Sequence, residues 1–226
     1  MTAAIARRQT DRRRFSSWAV PAGHLDLLVE RAAPEGALAI PVTDPLRRYQ
    51  LAAAIAKAAE QGHSAERDAE TALWSGRGRT DNEGVQAAGA PPEDTVHGDT
   101  TMRAFTAGTL LPSTVDAEDV DAGELIVLAT AGDDPLSRLR AGEAASAALL
   151  AATQMGLATC PLSQALEIPE TASTIRGQVL DGAAVPQLVL RVGWSPTAAP
   201  PPPRSHRRPI DKFTAYLPGF SPARHR

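Results

Sequence analysis

Arginine residues are concentrated near the two ends of the chain. The first run reads RRQTDRRRF over residues 7–15, and the second reads RSHRRP over residues 204–209. A guanidinium group is a planar, permanently charged donor that can grip a phosphate through two hydrogen bonds. If folding brings the two ends together, they could bind a single anionic group. A solvated basic segment is the alternative, because runs of charge are usually exposed to water.

The spacing within the first run is suited to an anion. In an extended segment alternate side chains point to the same side, so Arg8, Thr10 and Arg12 would lie on one side of the backbone. Two guanidinium groups and a hydroxyl would then face one ligand. The same residues in contact with solvent remain the alternative at this point.

The composition favours a small phosphorylated ligand over nucleic acid. The 226 residues carry a formal net charge of -3, and aromatic residues make up 4% of the chain. Proteins that bind nucleic acid usually have a basic surplus, and those that bind single strands use aromatic stacking platforms. No apolar run reaches the roughly 18 residues of a membrane helix, and no secretory signal is visible, so we expect a cytoplasmic protein without a membrane partner.

The sequence lacks the common motifs for nucleotide, metal and hydrolytic chemistry. Neither a glycine-rich nucleotide motif nor an HExxH pair nor a GxSxG elbow is present, and the five histidines are scattered. The single cysteine, Cys160, lies near apolar Leu157 and Pro161, so we expect it to be a small buried apolar residue, with a nucleophile as the alternative. We predict no metal site and name no catalytic side chain.

The apolar pattern predicts one α/β domain over residues 1–226, with helices and strands interleaved. Helices are predicted at 22–33, from about 45 to 61, at 65–74, 135–155 and 169–180, and strands at 38–42, 124–130, 157–161 and 186–193. Pro41 favours an edge position for the first strand. Leu136 and Leu139 are expected to join the apolar stripe of the helix at 135–155. Residues 75–121, rich in glycine and proline, are predicted to be an inserted loop or lid.

Several of these segments together resemble the nitroreductase superfamily of flavin enzymes. The run Arg8–Phe15, followed by Val20-Pro21 and a helix, is similar to the opening of that superfamily. Its Thr-Asp-Arg-Arg-x-Phe form resembles the Acg-like actinobacterial branch, in particular the second half of the longer members. The resemblance continues through four further segments, Met155–Thr159, Pro161–Gln164, Leu188–Gly193 and Arg207-Arg208-Pro209.

The resemblance implies a fold and a cofactor. The expected fold is α/β of the α+β type, with a central mixed sheet, flanking helices, a long inserted loop and extended termini. The expected cofactor is FMN, with its phosphate bound by Arg8, Thr10, Arg12, Arg207 and Arg208. Backbone N–H groups of Leu162, Ser163 and Gln164 would face the flavin ring near N5.

The resemblance also implies an activity, with one departure. The activity would be hydride transfer from NAD(P)H through the flavin to a nitro compound, quinone or similar small acceptor, in a homodimer. The superfamily has a loop with Asn and Gln that bonds the flavin ring and ribityl chain, whereas residues 32–37 here contain neither. The missing loop makes a heterodimer with a related chain, or a non-catalytic subunit, an alternative. A protein that sequesters FMN without turnover is a further alternative, in which the insert 75–121 would lie over the flavin face.

Overall fold

The computed structural model describes residues 2–61, 65–78, 83–91, 96–105, 107–110, 121–196, 201–204, 208–209, 212 and 214–215. The α-helices are α1 Thr2–Arg7, α2 Ala22–Ala32, α3 Pro45–Gln61, α4 Ala65–Trp74, α5 Pro135–Met155, α6 Gln164–Glu167 and α7 Pro169–Thr174. The strands are β1 Leu38–Pro41, β2 Val96–His97, β3 Thr100–Thr101, β4 Glu124–Thr130, β5 Leu157–Leu162 and β6 Val185–Trp194.

The centre of the fold is a sheet with strand order β1-β4-β6-β5. Each neighbouring pair of these strands is antiparallel. The N-terminal segment meets β5 through a parallel bridge between Thr10 and Thr159. β1 lies at an edge of this sheet, as Pro41 predicts, because a residue without an N–H donor is tolerated best there.

Helices cover both faces of the sheet. On one face Ile126 and Leu128 pack in a core with α2 and α5. On the other face Leu125, Val127 and Ala129 pack in a core with α3 and the π-helical turn Ile175–Val179 that follows α7. Because side chains of a strand alternate between its faces, one apolar strand serves both cores. The expected α/β class is confirmed.

Capping residues mark the start of α5. The Asp134 carboxylate accepts hydrogen bonds from the N–H groups of Leu136 and Ser137, and Pro135 occupies the first helical position. The expected apolar stripe is wrong at its start, because Leu136 and Leu139 are 53% and 60% exposed. Small residues form the buried face instead, which permits close approach of α2.

The helix predicted at 65–74 and the strand predicted at 124–130 are confirmed with the same bounds. The short helix α1 has no counterpart in the sequence expectations. The described parts of the insert contain a 3-10 turn at Ala87–Gly89 and the small β2–β3 hairpin. Within the described ranges, no helix combines the length and apolarity that crossing a membrane requires.

Candidate functional site

The N-terminal segment after α1 runs along the sheet and carries the arginines of the first run. The backbone N–H of Asp11 donates to Thr159 O at 2.9 Å, and that of Ser16 donates to Trp194 O at 2.8 Å. Asp11, Arg13 and Phe15 are buried, whereas Arg12 between them is only half-buried. The expected alternation of side chains is therefore present here, with Arg12 on the outer side.

The side chains on the inner side of this segment form an ion pair that is shielded from water. Asp11 and Arg13 are both buried, and Arg13 Nη2 lies 2.6 Å from Asp11 Oδ2. A second bond joins Arg13 Nε to Asp11 Oδ1 at 2.9 Å. This bidentate geometry compensates part of the cost of removing both charges from water.

A second buried network fastens the same segment to β6. Arg191 is 1% exposed, and its guanidinium bonds to Asp121 Oδ2 and, at 3.2 Å, to Arg13 O. The Asp121 carboxylate also accepts the N–H of Phe15 at 2.8 Å. Burial lowers the pKa of Arg191, and the Asp121 charge opposes that shift. Since Asp121 ends the insert, this network joins the insert, the N-terminal segment and the sheet.

Phe15 lies in close contact with β6 within this network. The guanidinium carbon of Arg191 lies 3.8 Å from the centre of the Phe15 ring, a cation–π contact. A Cβ atom at Gly193 would approach the same ring to 2.4 Å, so only glycine fits there. The position of the N-terminal segment is thus set by packing as well as by charge.

On its outer side the segment borders a cavity of about 670 Å³. Arg12 lines this cavity together with parts of α4, residues 101–105 of the insert and residues 160–165 at the end of β5. The cavity is of the size that small-molecule and cofactor sites usually have. Two predicted segments that are distant in sequence therefore meet here, namely the first arginine run and the segment 162–164.

Arg12 is partly enclosed by the insert. Its Nη1 donates to Gly89 O at 3.4 Å, and its guanidinium carbon lies 5.1 Å from the centre of the Phe105 ring. Burial lowers the pKa of Arg12 from its ordinary value, although arginine stays charged at physiological pH. A partly desolvated cation attracts an anion more strongly than one in bulk water.

Two curated proteins of Mycobacterium tuberculosis are similar to this chain in sequence. The chain is 41% identical over 219 residues to "Putative NAD(P)H nitroreductase Rv3131" of Mycobacterium tuberculosis, and the match covers 96% of this chain and 62% of that protein. It is 40% identical over 92 residues to "Putative NAD(P)H nitroreductase acg" of the same species, covering 41% of this chain and 28% of that protein. No protein-family model matches the chain.

Solved structures show the same architecture. The nitroreductase NfnB of Mycobacterium smegmatis, solved with NADPH, matches 96% of this chain and 97% of its own at 18% identity, with a TM-score of 0.59. An FMN-bound nitroreductase of Bacteroides fragilis matches 96% and 98% at 14% identity, with a TM-score of 0.58. The chain has the nitroreductase fold, and its sequence is similar to those of Rv3131 and Acg. It spans 62% of the length of Rv3131.

The segment 162–164 of this nitroreductase-fold chain uses its polar side chains internally. Ser163 Oγ donates to Glu167 Oε1 at 2.8 Å, and Gln164 Nε2 donates to Ala58 O at 3.4 Å. Glu167 is also paired with Arg103 at 3.1 Å. All three predicted residues, Leu162, Ser163 and Gln164, line the cavity.

The remaining predicted phosphate ligands are placed elsewhere. Arg8 and Thr10 are half-buried, and neither lines the cavity. Arg208 pairs with Glu83 of the insert at 2.9 Å, with both side chains about half-exposed. Arg207 lies outside the described residues. The structure thus joins Arg12 to the segment 162–164 but does not bring Arg8, Thr10 or Arg208 to the same cavity.

The two ends of the chain nevertheless approach each other. Gln9 Nε2 donates to Pro202 O at 3.1 Å, and Pro202 is buried. The C-terminal segment therefore passes beside the N-terminal one. The contact is made two residues before Arg204, the first arginine of the second run, and the expected single clamp does not form in the described part of the chain.

Cys160 is buried, as expected from the sequence, and the turn after α2 lies away from the cavity. Cys160 is 2% exposed, and burial raises the pKa of its thiol to about 11, which keeps it neutral as a small apolar residue. Residues 33–35 form a 3-10 turn, and none of the residues 32–37 lines the cavity.

Several parts of the site were not predicted from the sequence. Trp74, Ser75 and Phe105 line the cavity, although they belong to the end of α4 and to the insert. The buried pair of Arg191 and Asp121 was also missed. A signal for Arg191 was present, since it is a single charge within the apolar strand Leu188–Gly193. A charge in such a strand requires a buried partner.

Proposed function

We propose that this chain is an FMN-binding flavoprotein that transfers hydride from NAD(P)H to a small acceptor such as a nitro compound or a quinone. The observation that carries the proposal is the cavity shared by Arg12 and residues 162–164. These are residues for which the resemblance implied contact with the phosphate and with the flavin ring.

The residues around the cavity fit FMN. A volume of about 670 Å³ lies within the range of cofactor sites. Trp74 and Phe105 offer aromatic walls for a planar ring, and Arg12 offers a cation for a phosphate. Ser75 adds a buried hydroxyl oxygen that has no hydrogen-bond partner among the described residues.

Bound FMN would supply the hydride chemistry, and the chain would supply position and charge. Arg12 would hold the phosphate. Backbone N–H groups of residues 162–164 would stabilise negative charge near N5, as donors aimed at a developing charge do in other enzymes. The insert residues 101–105 would exclude water from one side of the cavity.

The relatives support the nature of the cofactor and the donor. The Bacteroides fragilis nitroreductase contains FMN, and NfnB was solved with NADPH. Rv3131 bears the name of an NAD(P)H nitroreductase. Because this chain spans 62% of that protein, the activity, the acceptor and the partner are part of the proposal.

A second candidate function is storage of FMN without turnover. It is favoured by the contacts of the insert with Arg12, through Gly89 O and the Phe105 ring. An insert held against the cavity in this way would keep nicotinamide from the flavin. A non-catalytic subunit is the third candidate, motivated by the missing Asn/Gln loop.

Spectroscopy of the purified chain distinguishes these functions. The protein is incubated with FMN, desalted and mixed with NADPH without oxygen. Retention of yellow colour followed by rapid bleaching supports the oxidoreductase. Yellow protein that stays oxidised supports storage, and protein that retains no FMN overturns both and supports the subunit.

A further inference from the structure

The Ser75 hydroxyl is buried without a partner. The residue is 7% exposed, and its Oγ makes no hydrogen bond to any described residue. A hydroxyl carries one donor and two acceptor positions, and leaving all of them unused away from water costs free energy. Buried polar groups of native proteins are nearly all hydrogen-bonded, so an unpaired one requires an explanation, and a ligand that completes it is one.

The backbone around Ser75 is fixed by the insert. Val85 N donates to Trp74 O at 2.7 Å, and Arg77 N donates to Val85 O at 3.1 Å. Gly76 has a φ of +69°, and a Cβ atom there would lie 2.7 Å from Ala107 Cβ. These constraints hold the backbone beside the hydroxyl before any ligand enters, which lowers the entropic cost of binding.

Ser75 shares the cavity with Arg12 but differs from it in chemistry. It is a neutral group beside Trp74, whereas Arg12 is the cation assigned to the phosphate. The turn at 32–37, which contains no Asn or Gln, does not reach the cavity. Polar atoms of the flavin ring and ribityl chain therefore need another donor. Ser75 belongs to the lining of the same cavity, and its hydroxyl lies beneath that lining without a partner.

We propose that Ser75 hydrogen-bonds the flavin ring or ribityl chain of FMN, in a role that the missing Asn/Gln loop leaves open. This inference rests on the proposed function. It gives the buried hydroxyl the partner that the described protein does not supply.

The test compares wild type, Ser75→Ala and Ser173→Ala in FMN titrations and in thermal unfolding without ligand. Ser173 is an exposed serine of α7 that does not line the cavity, so its variant is the matched control. Loss of one neutral hydrogen bond weakens FMN binding by about 3- to 10-fold in Ser75→Ala. Riboflavin, which lacks the phosphate, loses affinity by the same factor.

The stability of the ligand-free protein is expected to change in the opposite direction to its FMN affinity. Because Ser75→Ala removes an unpaired polar group, the melting temperature without ligand stays the same or rises. A fall in both FMN affinity and melting temperature indicates a structural role and overturns the inference. Equal FMN affinity, or a loss seen with FMN but not with riboflavin, also overturns it, whereas a wild type that binds no FMN overturns the proposed function itself.

Discussion

At the scale of single residues, Arg12 differs from Arg8 and Arg208 because only Arg12 of these three lines the cavity. Arg12→Ala would remove the proposed charge-assisted hydrogen bond to the FMN phosphate, worth about 1.5–3 kcal/mol, and should weaken FMN binding by about 10- to 100-fold. The FMN affinity of Arg12→Lys should lie between those of wild type and Arg12→Ala, since an ammonium keeps the charge but loses the bidentate geometry. Isothermal titration or fluorescence quenching measures each affinity.

The matched control for Arg12→Ala is Arg31→Ala, on the exposed end of α2, which should bind FMN like wild type. The double variant Arg8→Ala/Arg208→Ala tests the full clamp implied by the resemblance and should retain no FMN if that clamp forms. If the double variant retains FMN fully and Arg12→Ala loses FMN affinity, Arg12 binds the phosphate without Arg8 and Arg208. Unchanged affinity in Arg12→Ala would contradict its role as the phosphate ligand.

Cys160 gives a pH dependence with a definite sign. Burial raises the pKa of its thiol from the ordinary 9.0 to about 11 in the folded chain. The folded state therefore binds the proton more tightly than the unfolded state. Its contribution to stability is fully present below pH 9 and is lost as the pH rises towards 11. The loss is about 2 to 3 kcal/mol at most, at about 1.4 kcal/mol per pKa unit.

Urea unfolding between pH 8 and pH 11 checks this for wild type and Cys160→Ala. Other groups titrate in both proteins, so the difference between the two curves isolates the thiol. Wild type should lose more unfolding free energy than the variant over this range. Parallel curves would show that the thiol titrates alike in the folded and unfolded chain.

At the scale of elements, the N-terminal segment is held in place by residues far from it in sequence. Asp121 accepts bonds from Phe15 N and Gly123 N and pairs with buried Arg191. Removing one partner of a buried ion pair typically costs about 3–5 kcal/mol, because the other charge stays buried without compensation. Asp121→Asn should lower the unfolding free energy by about this amount in urea.

Asp133→Asn is the control for Asp121→Asn, since Asp133 forms an exposed ion pair with Arg138 at 2.9 Å. Exposed pairs contribute little, so this variant should unfold like wild type. A loss of less than about 1 kcal/mol in Asp121→Asn would show that the network does not anchor the segment. Wild-type FMN affinity in the same variant would show that Arg12 does not depend on it.

Elements with local signals could be predicted from sequence, and the insert could not. Asp134 and Pro135 mark the start of α5 by capping chemistry that acts within one helical turn. By contrast, the position of Ser75 depends on backbone bonds between residues 74–77 and 85–87, which no local pattern encodes. The pairing of Asp121 with Arg191 spans 70 residues. The charge of Arg191 within an apolar strand indicates a buried partner but does not identify it.

The same limit applies to the cavity. Arg12 and residues 162–164 were predicted through a resemblance in their order along the chain. Arg12 and residues 162–164 are brought together by β5, which pairs with β6 and ends at the segment 162–164. The N-terminal segment lies beside β5 through the bridge between Thr10 and Thr159. Trp74 and Phe105 join the cavity from α4 and the insert, whose paths are set by tertiary contacts rather than by periodicity.

At the scale of the whole molecule, the site as described lacks a counterpart of the Asn/Gln loop, and the chain spans 62% of Rv3131. Large apolar side chains remain exposed on several helices, among them Leu46 and Tyr49 of α3 and Leu73 of α4 at 64%, 72% and 61% exposure. An assembly that covers such surface would gain hydrophobic free energy. We therefore expect a homodimer, as the resemblance implies.

Light scattering after size exclusion should give a mass near twice 23.7 kDa. Tyr49→Ser, which removes an exposed aromatic side chain from α3, should shift the protein towards monomer without lowering its melting temperature as a monomer; Arg31→Ala serves again as the surface control. A monomeric wild type that retains FMN would contradict the dimer. A monomer that takes up FMN only after mixing with a related chain would instead identify the heterodimer, because the second chain would then complete the site that this one leaves open.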